Sequence, residues 1–304
     1  MENWIQQMCT ALEYVENNLS QPMAYDQIAR HACMSSYHFQ RVFGLLFGYT
    51  LGEYIRNRRL YLAGVALQST QQRVLDIALD YGYDSAESFC RAFRRFHGFS
   101  PSEARKPEAQ LKPFSRLSID ITKKGGTIMN YRIEQTGARK LLGYRAHFDG
   151  VPADRNAQEE FFFVHSRLQQ YVLSGMTKEL DTFYTLISKI GDDGYDFYIA
   201  QEFDREGDWL TEQRYTNIVQ NNPEIGRLFE TILLPPTTYA VFETPRCRYP
   251  VTYQGALRQE ALLNWLPQSS YELVPGAELT VAHFFQKEKR EKRFIELWIP
   301  VQKK

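Results

Sequence analysis

From Trp4 to about residue 106, apolar side chains recur every three or four positions, the period of helices packed on a shared core. Trp4, Met8, Leu12, Val15 and Leu19 trace the first stripe, and Ser20-Gln21-Pro22 ends it. A short helix follows from Tyr25 to His31. Cys33-Met34-Ser35 then makes a turn, and Ser35 or Ser36 caps the next helix. In that helix Phe39, Val42, Phe43 and Leu46 face inward, while Gln40 and Arg41 stay outside. A longer helix runs from about Leu51 to Ser69, on the order of 25 Å at the helical rise, with Tyr54, Ile55, Leu62, Val65 and Leu67 on buried or partly buried sides. Val74 to Asp80 forms the next helix, Tyr81-Gly82-Tyr83 a turn, and Ser85 to His97 another helix. A closing segment, Pro101 to Lys106, begins with a proline suited to a helix entry.

The helix after Asp84 is amphipathic. Phe89, Ala92, Phe93 and Phe96 make its apolar face, Gly98 and Pro101 its stop, and Glu87, Ser88, Arg91, Arg94 and Arg95 a polar, mostly cationic face that suits a DNA groove. The same design occurs earlier in the chain. Ser85 and Ser35, Phe89 and Phe39, Arg91 and Arg41, Phe93 and Phe43, and Gly98 and Gly48 each stand 50 positions apart. Upstream, Ile77-Ala78 answers Ile28-Ala29 at an offset of 49, so the second copy carries one extra residue in its turn. Each copy reads as a helix-turn-helix unit, and the long helix between them is a strut. Successive major grooves on one side of B-DNA lie about 34 Å apart, within reach of two such units.

Beyond residue 106 the texture changes to Pro, Gly and Lys, and residues 107–129 read as a linker. Strands and helices then alternate. Tyr131 to Glu134 and Lys140 to Arg145 look like strands, Ala157 to Leu173 like a helix, Lys178 to Ile190 like a further helical piece, and Tyr195 to Phe203 like a strand. In a second half, Thr238 to Glu243 is strand-like, Pro250 to Leu266 helical, Leu279 to Gln286 strand-like, and Phe294 to Val301 the last strand. In that last strand Glu296 shares a face with Phe294 and Trp298. A carboxylate between two aromatics is unfavourable when buried alone. Two readings stand: a cation meets it, or it lies in water on an edge strand, paired with a basic residue of the 287–293 segment.

Composition narrows the function. With 304 residues, 43% of them hydrophobic and 14% aromatic, the chain has material for two folded domains. Formal net charge is +0, so affinity for nucleic acid has to come from local clusters, such as Arg56, Arg58 and Arg59, or Arg91, Arg94 and Arg95. A solvated helix face is the bland reading of either run. The four cysteines have no CxxC pairing, which argues against a zinc site, and neither a metal nor another cofactor is expected. No apolar run is long enough to span a membrane, and Met1 to Gln7 lacks an export signal; a cytoplasmic protein is expected.

Residues 1–106 resemble the DNA-binding domain of the AraC/XylS family of bacterial transcription regulators. The resemblance rests on Ile28-Ala29, Ser35-Ser36-Tyr37-His38-Phe39-Gln40-Arg41-Val42-Phe43, Gly48, Tyr54-Ile55, Arg58-Arg59-Leu60, Ala63, Ile77-Ala78, Gly82-Tyr83, Ser88-Phe89, Phe93 and Gly98-Phe99-Ser100-Pro101. It implies that Tyr37, Gln40 and Arg41 read bases from the first unit, and that Ala86, Glu87, Ser88, Cys90 and Arg91 face a second half-site, with Arg95 beside them. The chemistry fits unevenly. Arg41 suits guanine, Gln40 adenine, and Arg91 guanine or phosphate, whereas Ala86 offers only contact with a thymine methyl. Glu87 could accept from cytosine but is repelled by phosphates. An ion pair with Glu87 is the alternative for Arg91. Alkyl transfer through Cys90 lacks companion cysteine motifs. The resemblance also implies double-stranded DNA and RNA polymerase as partners, and activation over repression.

Residues 130–304 resemble the gyrase-inhibitor-like, or multidrug-effector-binding, family through Tyr131-Arg132-Ile133, Leu142-Gly143-Tyr144 and the closing Glu296-Leu297-Trp298-Ile299-Pro300-Val301. That resemblance implies two βαββ-like halves enclosing a pocket for a small cationic, lipophilic effector, with Glu296 facing the charge and Trp298, Tyr239 and Phe284 as aromatic walls. Those aromatics would serve equally as core. The expected fold is therefore an all-α N-terminal domain with two helix-turn-helix units joined by a long helix, and an α+β C-terminal domain. The expected function is effector-controlled DNA binding, without enzymatic activity. A hydrolase with Glu296 as general base, or a module that sequesters a partner protein, is the alternative for the C-terminal domain.

Overall fold

The computed structural model describes residues 2–119, 131–152, 157–284 and 287–304. It divides into two compact units, Met1–Lys124 and Gly125–Lys304.

The first unit is helical: α1 (Glu2–Asn17), α2 (Tyr25–His31), α3 (Ser36–Phe47), α4 (Leu51–Ser69), α5 (Val74–Asp80) and α6 (Ala86–His97), followed by a 3-10 turn at Glu103–Arg105. The predicted stripe of α1 is buried throughout: Trp4, Met8, Leu12 and Val15, with Leu19 just past the helix. Around α4, Leu60, Ala63 and Leu67 meet Ile77, Ala78, Phe89 and Phe93 in one core cluster, while Val65 points to solvent at 40% exposure. Thr50 and Glu53 form a reciprocal capping box that starts α4. At about 1.5 Å per residue its 19 residues span roughly 28 Å.

The segment expected to be linker from residue 107 is packed on this unit as far as residue 117. Gln68 donates to the Ala109 carbonyl at 2.9 Å, Lys112 N–H to His97 Nδ1 at 3.1 Å, Arg58 to the Phe114 carbonyl at 2.6 Å, and Leu117 N–H to the Tyr54 hydroxyl at 3.3 Å. The Phe114 ring lies 6.0 Å from that of Tyr54 and 6.1 Å from that of Phe96. Leu111 and Phe114 are the apolar anchors that composition alone conceals behind flanking Lys and Pro. Residues 120–130, which complete the expected linker, lie outside the described residues.

The second unit is an antiparallel sheet with helices: β1 (Tyr131–Thr136), β2 (Arg139–Phe148), α7 (Ala157–His165), α8 (Arg167–Thr177), β3 (Thr182–Gly191), β4 (Gly194–Glu202), α9 (Glu212–Asn221), α10 (Pro223–Leu228), β5 (Glu230–Leu234), β6 (Thr237–Glu243), α11 (Gln254–Gln259), α12 (Leu266–Gln268), β7 (Tyr271–Leu273), β8 (Glu278–His283) and β9 (Phe294–Lys303). A π-helical turn at Glu260–Trp265 joins α11 to α12 just before Pro267, whose missing N–H interrupts the regular ladder. The strand order is β1-β6-β9-β8-β3-β4-β2-β5, with β7 on β9. Outward from the central β3–β8 pair, β4, β2 and β5 on one side answer β9, β6 and β1 on the other.

Alternation sorts the residues of this sheet onto two faces. One face carries Leu142, Tyr144, Ile187, Tyr195, Phe197 and Ile199, packed against Phe162 and Phe163 of α7, Leu173 and Met176 of α8, and Tyr215 and Ile218 of α9. The other carries Leu141, Tyr184, Leu186, Tyr198, Tyr239, Val241, Leu279, Val281 and Trp298, a cluster built from the strands themselves. Helices segregated to one face of an antiparallel sheet define an α+β arrangement. The helical piece expected at Lys178 to Ile190 is β3 instead. Its alternating Tyr184 and Leu186, Phe183 and Thr185 serve two different faces, a pattern that a short apolar run does not separate from a helix. β5, β7, α9 and α10 fall in segments where the sequence offered no clear periodicity.

Candidate nucleic-acid interface and effector face

The two outward-facing helices are built with the same local devices. Ser35 Oγ accepts from His38 N–H at 3.2 Å at the start of α3, and Ser85 Oγ accepts from Ser88 N–H at 3.2 Å at the start of α6. Both helices end on a left-handed glycine, Gly48 at φ 71° and Gly98 at φ 89°. Their inner faces carry tilted aromatic pairs, Phe39 with Phe43 at 5.9 Å and Phe89 with Phe93 at 5.4 Å. The turns before them match as well. Met34 N–H reaches the Ala29 carbonyl at 3.1 Å and Tyr83 N–H the Ala78 carbonyl at 2.9 Å, each across a left-handed residue, Cys33 at φ 52° and Gly82 at φ 78°. The extra residue of the second copy therefore lies between Gly82 and Ser85.

On α6, Glu87, Arg91, Arg94 and Arg95 are exposed, while Ala86, Ser88 and Cys90 are half-buried. Glu87 and Arg91 form the i,i+4 pair at 3.5 Å, and with exposures of 82% and 75% it is a weak, exchangeable contact. Ser88 Oγ donates to the Ser85 carbonyl at 2.9 Å, so part of its bonding is spent within the cap. On α3, Tyr37 and Gln40 are half-buried, and Gln40 donates to Ser36 Oγ at 3.3 Å. Arg41 differs from expectation. It stands on the outward side of the helical wheel, yet only 6% of it is exposed and it is engaged in interactions. A long cationic stem laid along neighbouring apolar surface has this effect, and helical phase alone does not reveal it.

The Arg56, Arg58 and Arg59 cluster also separates. Arg56 is exposed. Arg58 donates from Nε and Nη2 to Glu16 at 2.9 Å and 2.6 Å, and Tyr54 donates to the same carboxylate at 2.6 Å. Burial pushes the Tyr54 phenol well above its usual range, and its bond to Glu16 pushes it further. Arg59 donates to the carbonyls of Leu19 and Gln21, both at 2.7 Å. These two arginines therefore tie α1 to α4 and are spent on the fold.

In the second unit, Glu296 is neither in water nor on an edge strand. β9 is flanked by β6 and β8, and the cation that meets Glu296 belongs to this chain. Arg132 of β1 donates to Glu296 at 2.8 Å, to Glu243 at 3.0 Å and to Glu134 at 3.0 Å. Its guanidinium carbon lies 5.6 Å from the centre of the Trp298 ring. Trp298 Nε1 donates to Glu296 at 3.0 Å, and His283 Nε2 stands 3.4 Å away. Beside this group, Arg139 bonds Glu202 through two parallel contacts of 3.0 Å and lies over both Tyr184 and Trp298, at 5.1 Å and 5.5 Å. Burial pushes the Tyr184 phenol up to about 12, although the neighbouring Arg139 opposes this.

Tyr239 stands edge-on to Trp298 at 5.5 Å, so these two expected walls are together. Phe284 is not with them. It follows β8 one place after His283, so alternation turns it to the other face, where its ring lies 6.4 Å from that of Phe183. Sequence reasoning missed Arg132, Arg139, Glu202, Glu243, Tyr184 and His283. For Arg132 and Glu134, alternation in β1 was a readable signal; their distance of over a hundred residues from Glu243 and Glu296 was not.

Desolvation raises the carboxyl of Glu296, but His283, Arg132 and Trp298 outweigh it and hold the group at about 2. Such a carboxylate is a poor proton acceptor, and its oxygens are already engaged by Arg132, Trp298 and His283. Among the described residues, no group of three or more His, Cys, Asp or Glu is arranged to hold a metal ion. No helix among them is long and apolar enough to cross a membrane.

Residues 28–107 match a helix-turn-helix domain family. The chain is similar to the HTH-type transcriptional activator AarP of Providencia stuartii, 45% identical over 91 residues that cover 30% of this chain and 67% of that protein. It is similar to the regulatory protein SoxS of Salmonella typhimurium (strain LT2), 42% identical over 96 residues covering 32% of this chain and 90% of that protein. The chain is also similar to a solved structure, SAV2435 bound to tetraphenylphosphonium, over 57% of this chain and 94% of that one, at 18% identity and a TM-score of 0.41. The first unit supplies the match in family, spacing and helix pairing, and on it the chain belongs to the AraC-type family of DNA-binding transcriptional regulators.

Proposed function

We propose that the first unit reads two half-sites on one duplex through α3 and α6, with α4 as the spacer between two helix-turn-helix units, and that the second unit is built of two βαββ halves whose strand-only face takes a small effector. The observation that carries the DNA reading is the repeated cap, aromatic pair and left-handed stop at an offset of 50, which presents two outward helices of the same construction. Tyr37, Gln40 and Arg41 serve one site and Ala86, Glu87, Ser88, Arg91 and Arg95 the other. Arg41 reaches a base by exchanging its present contacts for those of the groove. Residues 1–117 act as the DNA-binding part, with 130–304 as the effector-binding part. RNA polymerase is the partner through which activation proceeds.

Support for effector binding comes from the face around Trp298, where aromatic rings and paired charges sit together and a planar or aryl ligand finds both stacking and charge partners. Glu296, Trp298 and Tyr239 are the effector-facing residues in this reading. The DNA half is tested by Gln40→Ala in the full chain: its loss is about 1–3 kcal/mol on the cognate site, with relaxed preference at one base. Equal loss on random DNA would contradict base reading.

A further inference from the structure

On the effector-binding reading just given, we propose that Arg132 is a tethered occupant of the cation position at Glu296 and Trp298, and that a lipophilic organic cation binds by displacing its guanidinium.

The geometry is that of a bound cation. The guanidinium donates to Glu296 at 2.8 Å and lies 5.6 Å from the Trp298 ring centre, the two contacts a charged aryl or alkyl ammonium group would seek in the same place. The layering favours exchange with solvent. Arg132 has 41% of its side chain exposed, whereas the side chain of Glu296 beneath it has 10%. The buried acceptor stays fixed, because Trp298 Nε1 and His283 Nε2 also hold it. The outer cation is the mobile member of the pair.

The charge around it selects the ligand class. Arg132 meets the carboxylates of Glu134, Glu243 and Glu296, so its single positive charge leaves an excess of negative charge there. Arg246 offsets part of this from 3.8 Å beyond Glu243. An organic anion of the same shape finds no matching excess. Departure does not strand Arg132 either, since Glu134 lies two residues along on the same strand, is itself part-exposed, and can keep its 3.0 Å contact while the Glu296 and Trp298 contacts are given up.

The location gives the exchange a consequence. β1 stands at the end of the strand order, paired with β6, and Arg132 reaches past β6 to β9. That side chain pins the end strand to the interior of the sheet, and β1 is the strand nearest in sequence to the DNA-binding unit. A tethered group competes at millimolar effective concentration or above, so it sets a threshold that weak or nonspecific cations do not pass.

The test is calorimetric titration of the full-length protein with tetraphenylphosphonium and, separately, with tetraphenylborate, its anionic counterpart in shape. Arg132→Met keeps the aliphatic stem and removes the charge; Arg132→Gln is the second variant should Met disturb folding, checked by circular dichroism. The expected result is tetraphenylphosphonium binding at least tenfold tighter in Arg132→Met than in the native protein, no such gain for tetraphenylborate, and loss of the gain when Glu296→Gln is added. Native binding with an unchanged or weaker affinity in both Arg132 variants would overturn the tethered-occupant proposal while leaving effector binding intact. No binding by any of these proteins would overturn the effector reading, and the proposal with it.

Discussion

At Cys33 and Gly82 the chain makes the same left-handed bend with different chemistry. A side chain in that region costs about 1 kcal/mol or more, and glycine escapes it. Cys33→Gly is therefore expected to raise unfolding stability by roughly 0.5–1 kcal/mol, a gain limited by the larger backbone entropy of the unfolded chain. Gly82→Ala should lose about 1–2 kcal/mol, because its Cβ would stand 2.7 Å from Arg59 Nη1 and Arg59 holds the chain just after α1. Urea unfolding of both variants checks this; a destabilised Cys33→Gly would contradict it. At this scale, residue type was legible but residue commitment was not. Ser35, Ser85, Gly48 and Gly98 do what their chemistry announces, whereas Arg58, Arg59 and Arg41 read as surface cations and turn out to be engaged. Long side chains carry their charge several ångströms from the backbone, to partners that sequence spacing does not reveal.

Among elements, helices were legible nearly to the residue where caps and periodicity coincided. α2, α4 and α5 occupy the expected spans, because apolar spacing is a local signal, joined in α4 by the Thr50 and Glu53 capping box and followed after α5 by the left-handed Gly82. β3 was misread because its alternate residues pack on both faces of the sheet, so a short apolar run there does not separate from a helix. The packed segment after residue 106 was hidden for another reason: its anchors Leu111 and Phe114 are isolated apolar residues whose sockets, on α4 and α6, are distant in sequence. That segment has a pH signature through His97. The imidazole donates from Nε2 to the Leu60 carbonyl at 3.1 Å and accepts at Nδ1 from Lys112 N–H at 3.1 Å, an arrangement that requires the neutral ring. Burial holds its pKa below the usual 6.5. The unfolded chain therefore takes up the proton first, so this contribution is complete above about pH 6.5 and is lost as pH falls from there toward the folded value. Unfolding stability measured between pH 7.5 and 5.5 should fall more steeply in the native protein than in His97→Phe. Parallel slopes would contradict the neutral-ring assignment.

For the molecule as a whole, each unit announced its class in a different degree. The first unit repeats itself at a fixed offset, so its architecture could be read by subtraction. The second has no fixed offset in sequence, and only the order β1-β6-β9-β8-β3-β4-β2-β5 brings Arg132, Glu243 and Glu296 into one group. Register is a long-range property set by the whole sheet, which is why Glu296 was visible as an oddity and its partner was not. The proposed recognition of DNA depends above all on α3 and α6 engaging a single duplex together. Hydroxyl-radical footprinting of the full chain on its cognate site tests this directly, with Gln40→Ala and Arg91→Ala side by side. Two protected patches about one helical turn, 10–10.5 base pairs, apart on one face of the DNA are expected, with each variant weakening a different patch. A single patch, or the same patch lost in both variants, would contradict it.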